Sequence, residues 1–201
     1  SASVIKSGGR VRRSAKMVIL DADHPDIEEF IACKSKEELK AKILIDAGYD
    51  NSLDGEVYKT VSFQNANNSG SVTDDFMERV EQNIMWVLRN RVGGKESKRI
   101  AAKHLFRKMA EAAWSCGDPA PFFVDTINKW HTTPNSGSIV SCNPCAEHLR
   151  PPNEACTLGG FNLLKFLMKD QRSFDTESFC NATDIMITAL DILVGNSEYP
   201  T

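Results

Sequence analysis

Short apolar, β-branched runs that alternate with longer amphipathic stretches are the feature that most constrains the fold of this chain. Runs of this kind predict strands, and the stretches between them have the periodicity of helices. Strands that alternate with helices are typical of the α/β class with parallel strand pairing, which is therefore the predicted fold class. The predicted strands are residues 17–21, 56–63, 122–124 and 139–142.

Capping signals give the expected bounds of the first helices. Pro25 opens a first helix, and Ser35 with Glu38 forms a capping box for a second helix that stops near Gly48. Thr73 is the expected N-cap of a third helix. The apolar stripe predicted for that third helix consists of Phe76, Val80, Ile84 and Val87.

The second half of the chain has fewer expected elements. Gly93-Gly94 and the charged run to Arg99 predict a linker. The longest helix is expected at residues 100–115. Gly117 and Pro119 are its expected stop signals. A polar turn is expected at residues 132–137, and a final helix at residues 176–195.

The segment Asn143-Pro144-Cys145-Ala146-Glu147, with a second thiol at Cys156, carries the candidate chemistry. A cysteine can lose an electron and a proton to become a radical, and two cysteines can deliver two electrons by closing a disulfide. A carboxylate near the thiol can accept a proton from a substrate hydroxyl, and an amide can hold a neighbouring hydroxyl. This set of side chains can perform thiol redox chemistry on a hydroxylated substrate.

The expected position of Cys145 follows from the residues before it. The run Ile139-Val140-Ser141-Cys142 predicts a strand. Pro144 cannot donate to a strand ladder. We therefore expect Cys145 on a loop or turn at the end of that strand.

Taken one by one, these residues have simpler interpretations. A lone cysteine is most often a small buried hydrophobic residue, and a lone glutamate on a loop is usually solvated. Cys142 and Cys145 also form a Cys-x-x-Cys pair, which is typical of a redox dithiol or of half a zinc site. No second such pair exists and the other thiols lack ligand spacing, so no metal site is predicted.

A basic cluster near the start of the chain is a candidate phosphate site. Lys6, Arg10, Arg12 and Arg13 surround Gly8-Gly9. A flexible, positively charged loop of this kind can bind phosphates through backbone amides and side chains. The alternative is an ordinary solvated basic loop.

Composition indicates a cytoplasmic enzyme. Hydrophobic residues make up 41% of the 201-residue chain, enough for a sizeable core. A net charge of −3 gives no electrostatic reason to expect binding to nucleic acid or to a membrane. Six cysteines are too few for a disulfide-dense scaffold, so reduced thiols are expected. The sequence suggests neither a signal peptide nor an apolar run long enough to cross a bilayer.

The chain also carries an ordered set of motifs that resembles ribonucleotide reductase, most closely its adenosylcobalamin-dependent class. The resemblance extends from one end of the chain to the other. The motifs are Ser7-Gly8-Gly9, Arg12 to Met17, Asp23-His24-Pro25-Asp26, Phe63 to Ser69, Gly117-Asp118-Pro119, Asp125 to Asn128, Trp130-His131-Thr132, Pro134 to Gly137, Asn143 to Glu147, Cys156 with Asn162 to Phe166, Asp191 to Val194, and Tyr199-Pro200-Thr201.

The resemblance implies a role for each residue of the candidate segment. Cys145 would be the thiyl radical that takes the hydrogen from C3′ of the ribose. Adenosylcobalamin would be the cofactor that generates this radical. Glu147 would accept the proton of the 3′-hydroxyl, and Asn143 would hold the ribose hydroxyls. Cys156 would be one half of the reducing dithiol, with a partner thiol upstream of this chain. The implied fold is part of a ten-stranded α/β barrel with the radical cysteine on an internal finger loop.

The resemblance further implies a central slice of a longer catalytic chain, inactive without its flanking barrel parts. Residues 1–72 would form the effector-loop and specificity region, with Lys6, Arg10, Arg12 and Arg13 on the effector triphosphate. Residues 73–201 would supply helices and the active-site loop. The implied partners are a ribonucleotide substrate, most simply a diphosphate, a deoxynucleoside triphosphate or ATP effector, a thioredoxin-like reductant and a second copy in a homodimer.

Two alternatives stay open at this point. The first is a nucleotide-binding regulatory or assembly subunit that has no turnover. The second is an oxygen-dependent reductase of the same superfamily, in which a partner subunit supplies the radical.

Overall fold

The structure is a computed structural model that describes residues 6–7, 12–13, 15–52, 55–170 and 172–198. The chain divides into two compact units, Ser1–Pro151 and Pro152–Thr201. The elements of the first unit are β1 (Lys6–Ser7), β2 (Arg12–Arg13), β3 (Lys16–Asp21), α1 (Ile27–Asp46), α2 (Glu56–Thr60), β4 (Ala66–Val72), α3 (Asp74–Gln82), β5 (Met85–Arg89), β6 (Glu96–Ala101), α4 (Ala102–Cys116), β7 (Ala120–Phe123), α5 (Val124–Lys129), a 3₁₀ turn (Pro134–Ser136), β8 (Ser141–Cys142) and β9 (Leu149–Arg150). The second unit contains a 3₁₀ turn (Leu163–Phe166) and α6 (Thr176–Gly195).

A three-stranded parallel sheet in the order β3-β4-β7 lies at the centre of the first unit. Strand β4 pairs with β3 from Lys16↔Ala66 to Asp21↔Ser71, and with β7 from Ser69↔Ala120 to Val72↔Phe123. Successive side chains of a strand point to opposite faces of the sheet. Strand β4 therefore presents one row of side chains to each of the two layers that cover the sheet.

Helices α1, α3 and α4 cover one face of the sheet together with the antiparallel hairpin β5-β6. The Trp86 indole packs edge-on against Phe76 at a centroid distance of 5.0 Å, and its Nε1 donates to the Ala22 carbonyl at 2.9 Å. This contact joins the hairpin to the end of β3. The buried side chains of this layer include Ile27, Ile31, Val72, Phe76, Leu88, Leu105 and Met109.

The opposite face of the sheet is covered by the segment that leads to the candidate loop. Ile139 and Cys142 are buried against Phe122 of β7, and Met17 and Ile19 of β3 pack on the same cluster. The candidate loop is thus held on the face of the sheet opposite α1, α3 and α4, where Val124 and Ile127 of α5 pack on the same cluster.

Several predicted elements are confirmed. Strand β3 occupies residues 16–21, and β7 lies within two residues of its predicted position. The predicted N-cap is present, because the Thr73 side chain accepts from the Phe76 amide at 3.1 Å. Helix α4 ends at Gly117, which adopts a positive φ of 83°. Helix α6 spans residues 176–195 as predicted, although α1 and α6, with 20 residues each, are longer than α4.

Two predictions in the first third of the chain are wrong. Residues 56–63 contain the short helix α2 rather than a strand, because Val57 is buried against Ala41 of α1. The strand comes later, at β4. The expected break between two helices is also absent, since α1 is continuous through Ser35, whose hydroxyl donates back to the Ala32 carbonyl. A serine inside a helix can satisfy its hydroxyl in this way without capping a new helix.

The region after α3 also differs from the prediction. Helix α3 ends at Gln82, because Asn83 takes a left-handed conformation with φ of 57°. Ile84 consequently lies beyond the helix, and Val87 lies in β5. The expected linker is a hairpin turn at Gly93 and Gly94, both with positive φ, followed by β6.

The fold class is confirmed at the level of a mixed α/β structure with parallel pairing. Within the described residues the strands form sheets of three or two strands and no closed barrel. Within the described residues, the expected ten-stranded barrel is therefore represented only by a parallel sheet with α1, α3 and α4 on one face and α5 on the other.

The second unit is organised around four phenylalanines and α6. Phe161, Phe166, Phe174 and Phe179 pack with centroid distances of 5.3–6.0 Å. The Asp175 carboxylate caps α6 by accepting from the Ser178 amide at 3.0 Å. Helix α6 is long and apolar enough to meet the length and composition of a membrane span, contrary to the expectation that the chain has no apolar run of that length. This property alone is weak evidence for a span, because core helices of water-soluble proteins share it.

Candidate functional site

The candidate segment forms the loop of a short hairpin. Ser141 of β8 pairs with Arg150 of β9, and Cys142 pairs with Leu149. The Asn143 side-chain oxygen accepts from the His148 amide at 2.9 Å, and the Asn143 amide donates to the His148 carbonyl at 3.3 Å. Asn143 thus closes the base of the loop with both its backbone and its side chain.

The tip of the loop contains Cys145. The Ala146 amide donates to the Asn143 carbonyl at 3.0 Å, and Ala146 has a φ of 61°. A residue other than glycine in this left-handed region costs about 1–2 kcal/mol. The chain therefore reverses tightly around Cys145, whose side chain is exposed.

Asn143 and Glu147 belong to the same loop. The nearby Asn143 side chain is the main cause that lowers the pKa of the exposed Glu147 carboxyl. The carboxylate is therefore the form of Glu147 at neutral pH. A carboxylate and an amide held together near a thiol can accept one hydroxyl proton while they bind a second hydroxyl.

The two thiols of the Cys-x-x-Cys pair lie in different environments. Burial is the main cause that raises the pKa of the Cys142 thiol, and the negative charge of Glu147 raises it further. Cys142 packs among apolar side chains on the sheet, whereas Cys145 is exposed. Both thiols are free. Among the residues that the structure describes, no three His, Cys, Asp or Glu side chains are grouped as metal ligands.

Two asparagines that sequence reasoning did not single out hold the hairpin in place. Asn67 of β4 donates from Nδ2 to the Pro144 carbonyl at 2.5 Å. Asn128 accepts from the Ile139 amide at 2.9 Å and donates to the carbonyls of Ile139 and Val124 at 2.9 and 2.8 Å. Both lie in motifs that carried the family resemblance, which was the available signal. Their partners, 77 residues away for Asn67 and 4 and 11 residues away for Asn128, are visible only in the fold.

The remaining predicted site residues lie elsewhere. Cys156 belongs to the second unit, where it is exposed in an irregular segment. Lys6 and Arg13 are paired in the antiparallel ladder of β1 and β2, next to the pair of Ser7 with Arg12. Arg10 lies outside the described residues. The backbone thus brings three of the four predicted effector residues onto one small hairpin.

The whole chain matches a known protein family. The family model described as "Ribonucleotide reductase, barrel domain" matches residues 1–201. A vitamin B12-dependent ribonucleotide reductase from Streptomyces clavuligerus is 50% identical over 204 residues, which cover 100% of this chain and 21% of that protein. The relative of the same name from Rhodopirellula baltica is 48% identical over 100% of this chain and 19% of its own length. A vitamin B12-dependent ribonucleoside-diphosphate reductase from Thermoplasma acidophilum is 34% identical over 98% of this chain and 22% of its own length.

The match covers only a part of each relative. This chain spans about a fifth of the length of the curated relatives that it matches. The match includes the hairpin loop, the sheet that carries it and the second unit.

We predict that Asn128→Leu lowers the free energy of unfolding by about 2–4 kcal/mol. The change leaves the amide and the carbonyl of Ile139 without their side-chain partner, and each unpaired buried group costs about 1–3 kcal/mol. Urea unfolding of the chain measures the loss, and faster amide hydrogen exchange at Ile139 locates it. The matched control is Asn196→Leu, which removes one exposed amide bond to the Ile192 carbonyl. Equal effects of the two variants would contradict a specific clamp at Ile139.

Proposed function

The chain belongs to the ribonucleotide reductase barrel family, and we propose that it is the radical-bearing part of an adenosylcobalamin-dependent enzyme that reduces ribonucleotides to 2′-deoxyribonucleotides. The observation that carries the proposal is the exposed Cys145 at the tip of a loop that Asn143 closes at its base and that also carries Glu147. The printed names of the curated relatives, which are vitamin B12-dependent reductases, support the choice of cofactor.

Cys145 would perform the first step on the substrate. After loss of a hydrogen atom, its sulfur would take the hydrogen atom bonded to C3′ of the ribose, so that the thiol is restored and the substrate becomes a carbon radical. Exposure of the side chain supports this role, because the sulfur must meet both the substrate and the group that oxidises it.

Glu147 and Asn143 would act on the ribose hydroxyls. Glu147 is an exposed, ionised carboxylate, so it would accept the proton of the 3′-hydroxyl while water leaves from C2′. The Asn143 carboxamide would hold the neighbouring hydroxyl. The Asn143 side chain is the main cause of the lowered pKa of Glu147, which supports a joint action of the two groups.

The accessibility of Cys145 is the feature of this chain that can be checked against adenosylcobalamin. A large cofactor can act on Cys145 only if the thiol is accessible, and Cys145 is exposed. When bound, adenosylcobalamin supplies the acceptor for the hydrogen atom of the Cys145 thiol. The groups that hold the cofactor would belong to other parts of the reductase.

Cys156 would supply one of the two thiols that reduce the sugar. Reduction at C2′ takes two electrons, which a dithiol delivers when it closes a disulfide. The partner thiol would lie upstream of this chain. A thioredoxin-like protein would then reopen the disulfide, since the enzyme needs an external source of two electrons in every turnover.

The substrate and the effector are further parts of the proposal. The names of relatives at 34% and 32% identity, which are ribonucleoside-diphosphate reductases, favour a diphosphate substrate. The effector would be a deoxynucleoside triphosphate or ATP, whose phosphates Lys6, Arg10, Arg12 and Arg13 would contact. The active form would be a homodimer of the complete chain. Vitamin B12 dependence of the relatives favours this reading over a radical supplied by a partner subunit.

The central prediction is that Cys145→Ala abolishes deoxynucleotide formation. It is tested in the complete reductase, in which this chain is joined to the flanking segments of a Streptomyces relative. The same variant should stop the transfer of solvent hydrogen into adenosylcobalamin, because both reactions pass through the Cys145 sulfur. Glu147→Gln should slow loss of water from the substrate but retain some hydrogen transfer. Near wild-type rates in Cys145→Ala would refute the assignment.

Cys156→Ser should separate reduction from hydrogen transfer. In the complete reductase we expect hydrogen transfer into the cofactor to continue, whereas multiple turnovers supported by a dithiol reductant stop. Cys180→Ser, which removes another exposed thiol of the same unit, is the matched control. A disulfide between Cys145 and Cys156 at full stoichiometry in the active enzyme would mean that the two roles are misassigned.

Replacement of Arg12 and Arg13 by alanine should weaken effector binding. Each charge-assisted contact to phosphate is worth about 1.5–3 kcal/mol, which corresponds to roughly a tenfold or greater loss of affinity per residue. Calorimetric titration with deoxynucleoside triphosphates measures the loss. Turnover without effector should change far less, and unchanged affinity in a folded variant would return the cluster to an ordinary solvated loop.

A further inference from the structure

One side-chain contact joins the central strand of the sheet to the tip of the candidate loop. Asn67 lies on β4, and its Nδ2 donates to the carbonyl oxygen of Pro144 at 2.5 Å across 77 residues of sequence. We propose that Asn67 is a positioning residue for Cys145, and this inference rests on the proposed radical function of that cysteine.

The contact acts directly on the backbone of Cys145. The carbonyl of Pro144 and the amide nitrogen of Cys145 belong to the same peptide unit, which is planar. A partner that holds the carbonyl oxygen therefore also orients the plane from which the Cys145 side chain departs. Asn67 thus controls the direction of the sulfur without contact to the thiol itself.

The other polar contacts of the loop do not perform this task. The bonds from the amides of His148 and Ala146 both end on Asn143, so they set the shape of the loop. They do not set its place on the sheet. Buried Cys142 anchors the base of the hairpin among apolar side chains, and Asn67 anchors the tip.

The position of Asn67 in the sheet makes it a rigid anchor. Strand β4 pairs with β3 at Met17↔Asn67 and is flanked on its other side by β7. The next residue, Asn68, points to the opposite face, where its Nδ2 donates to Cys33 Sγ of α1 at 3.3 Å. The two adjacent asparagines therefore bond to different layers, so a substitution of Asn68 is a matched control for one of Asn67.

The expected effect follows from the geometry of hydrogen transfer. Reacting atoms must be held about 3–3.5 Å apart, and a misplacement of about 1 Å can cost roughly a hundredfold in rate. Loss of the tether should lower kcat by about tenfold to a hundredfold and leave the substrate KM nearly unchanged. Transfer of solvent hydrogen into the cofactor should fall in parallel, because it needs the same placement of Cys145.

The test compares Asn67→Leu with Asn68→Leu and with Asn67→Gln in the complete reductase. Leucine has the same number of side-chain heavy atoms as asparagine but no donor, and glutamine keeps a donor on a longer side chain. Asn67→Leu should lower kcat and hydrogen transfer, Asn67→Gln should recover part of both, and Asn68→Leu should leave both unchanged. If Asn67→Leu does not fold, Asn67→Asp repeats the test with a side chain of the same shape that lacks the donor.

A second readout requires no cofactor. Amide hydrogen exchange at Ala146 and His148 reports the order of the loop. It should become faster in Asn67→Leu and stay unchanged in Asn68→Leu. Equal effects of the two leucine variants on exchange and on kcat would indicate general damage to β4 and would overturn the inference.

The outcomes also separate this inference from the function on which it rests. If Cys145→Ala abolishes hydrogen transfer while Asn67→Leu leaves kcat and loop exchange unchanged, only the positioning role is refuted. If Cys145→Ala retains hydrogen transfer, the radical function itself is refuted. Loss of kcat in Asn67→Leu with recovery in Asn67→Gln supports both.

Discussion

Polar side chains on a strand that is covered on both faces are the constraint on which the first unit depends. Strand β4 lies between β3 and β7, and its Asn68 and Ser69 side chains are buried. An amide in such a place costs about 1–3 kcal/mol if it lacks a partner. Asn67 and Asn68 meet this requirement by bonds to the loop layer and to the helix layer. Strand β4 therefore fixes the positions of both layers relative to the sheet.

An ion pair at the start of the same strand strengthens this arrangement. Lys34 of α1 binds the Asp118 carboxylate, and the two side chains are only 14% and 15% exposed. Lys34 also donates to the Ala66 carbonyl at 2.7 Å, and Asp118 accepts from the Asn68 amide at 3.1 Å. Buried charges need such extra hydrogen bonds to offset their loss of water. The pair consequently ties α1 and the segment after α4 to the point where β4 begins.

The sequence predicted elements well where one local signal acted alone. The Thr73 cap, the Gly117 stop and the apolar run of β3 needed no distant partner. Strand β4 was missed because its residues are small and polar, so neither β-branched enrichment nor apolar alternation marks it. Val87 was placed in a helix because an apolar spacing of three or four residues continued past Asn83, where a left-handed residue ends the helix.

For the candidate site too, the sequence predicted some residues and missed others. The motif order of the chain pointed to Asn143, Cys145 and Glu147, and all three lie in the loop between β8 and β9. The residues that hold their loop, Asn67 and Asn128, bond to backbone groups 77 and 11 residues away. No local pattern identifies a partner for a backbone carbonyl, so such supports became visible only from the fold.

The different environments of Cys142 and Cys145 bear on how the proposed chemistry avoids a wrong disulfide. Thiol–disulfide exchange proceeds through a thiolate, and a raised pKa makes the thiolate scarce. Burial and the charge of Glu147 raise the pKa of Cys142, whose side chain packs beside Ile139 on the sheet. Cys142 is therefore a poor partner for a nearby oxidised sulfur. Burial first, and the charge of Glu147 second, therefore disfavour the thiolate of Cys142 next to the exposed Cys145.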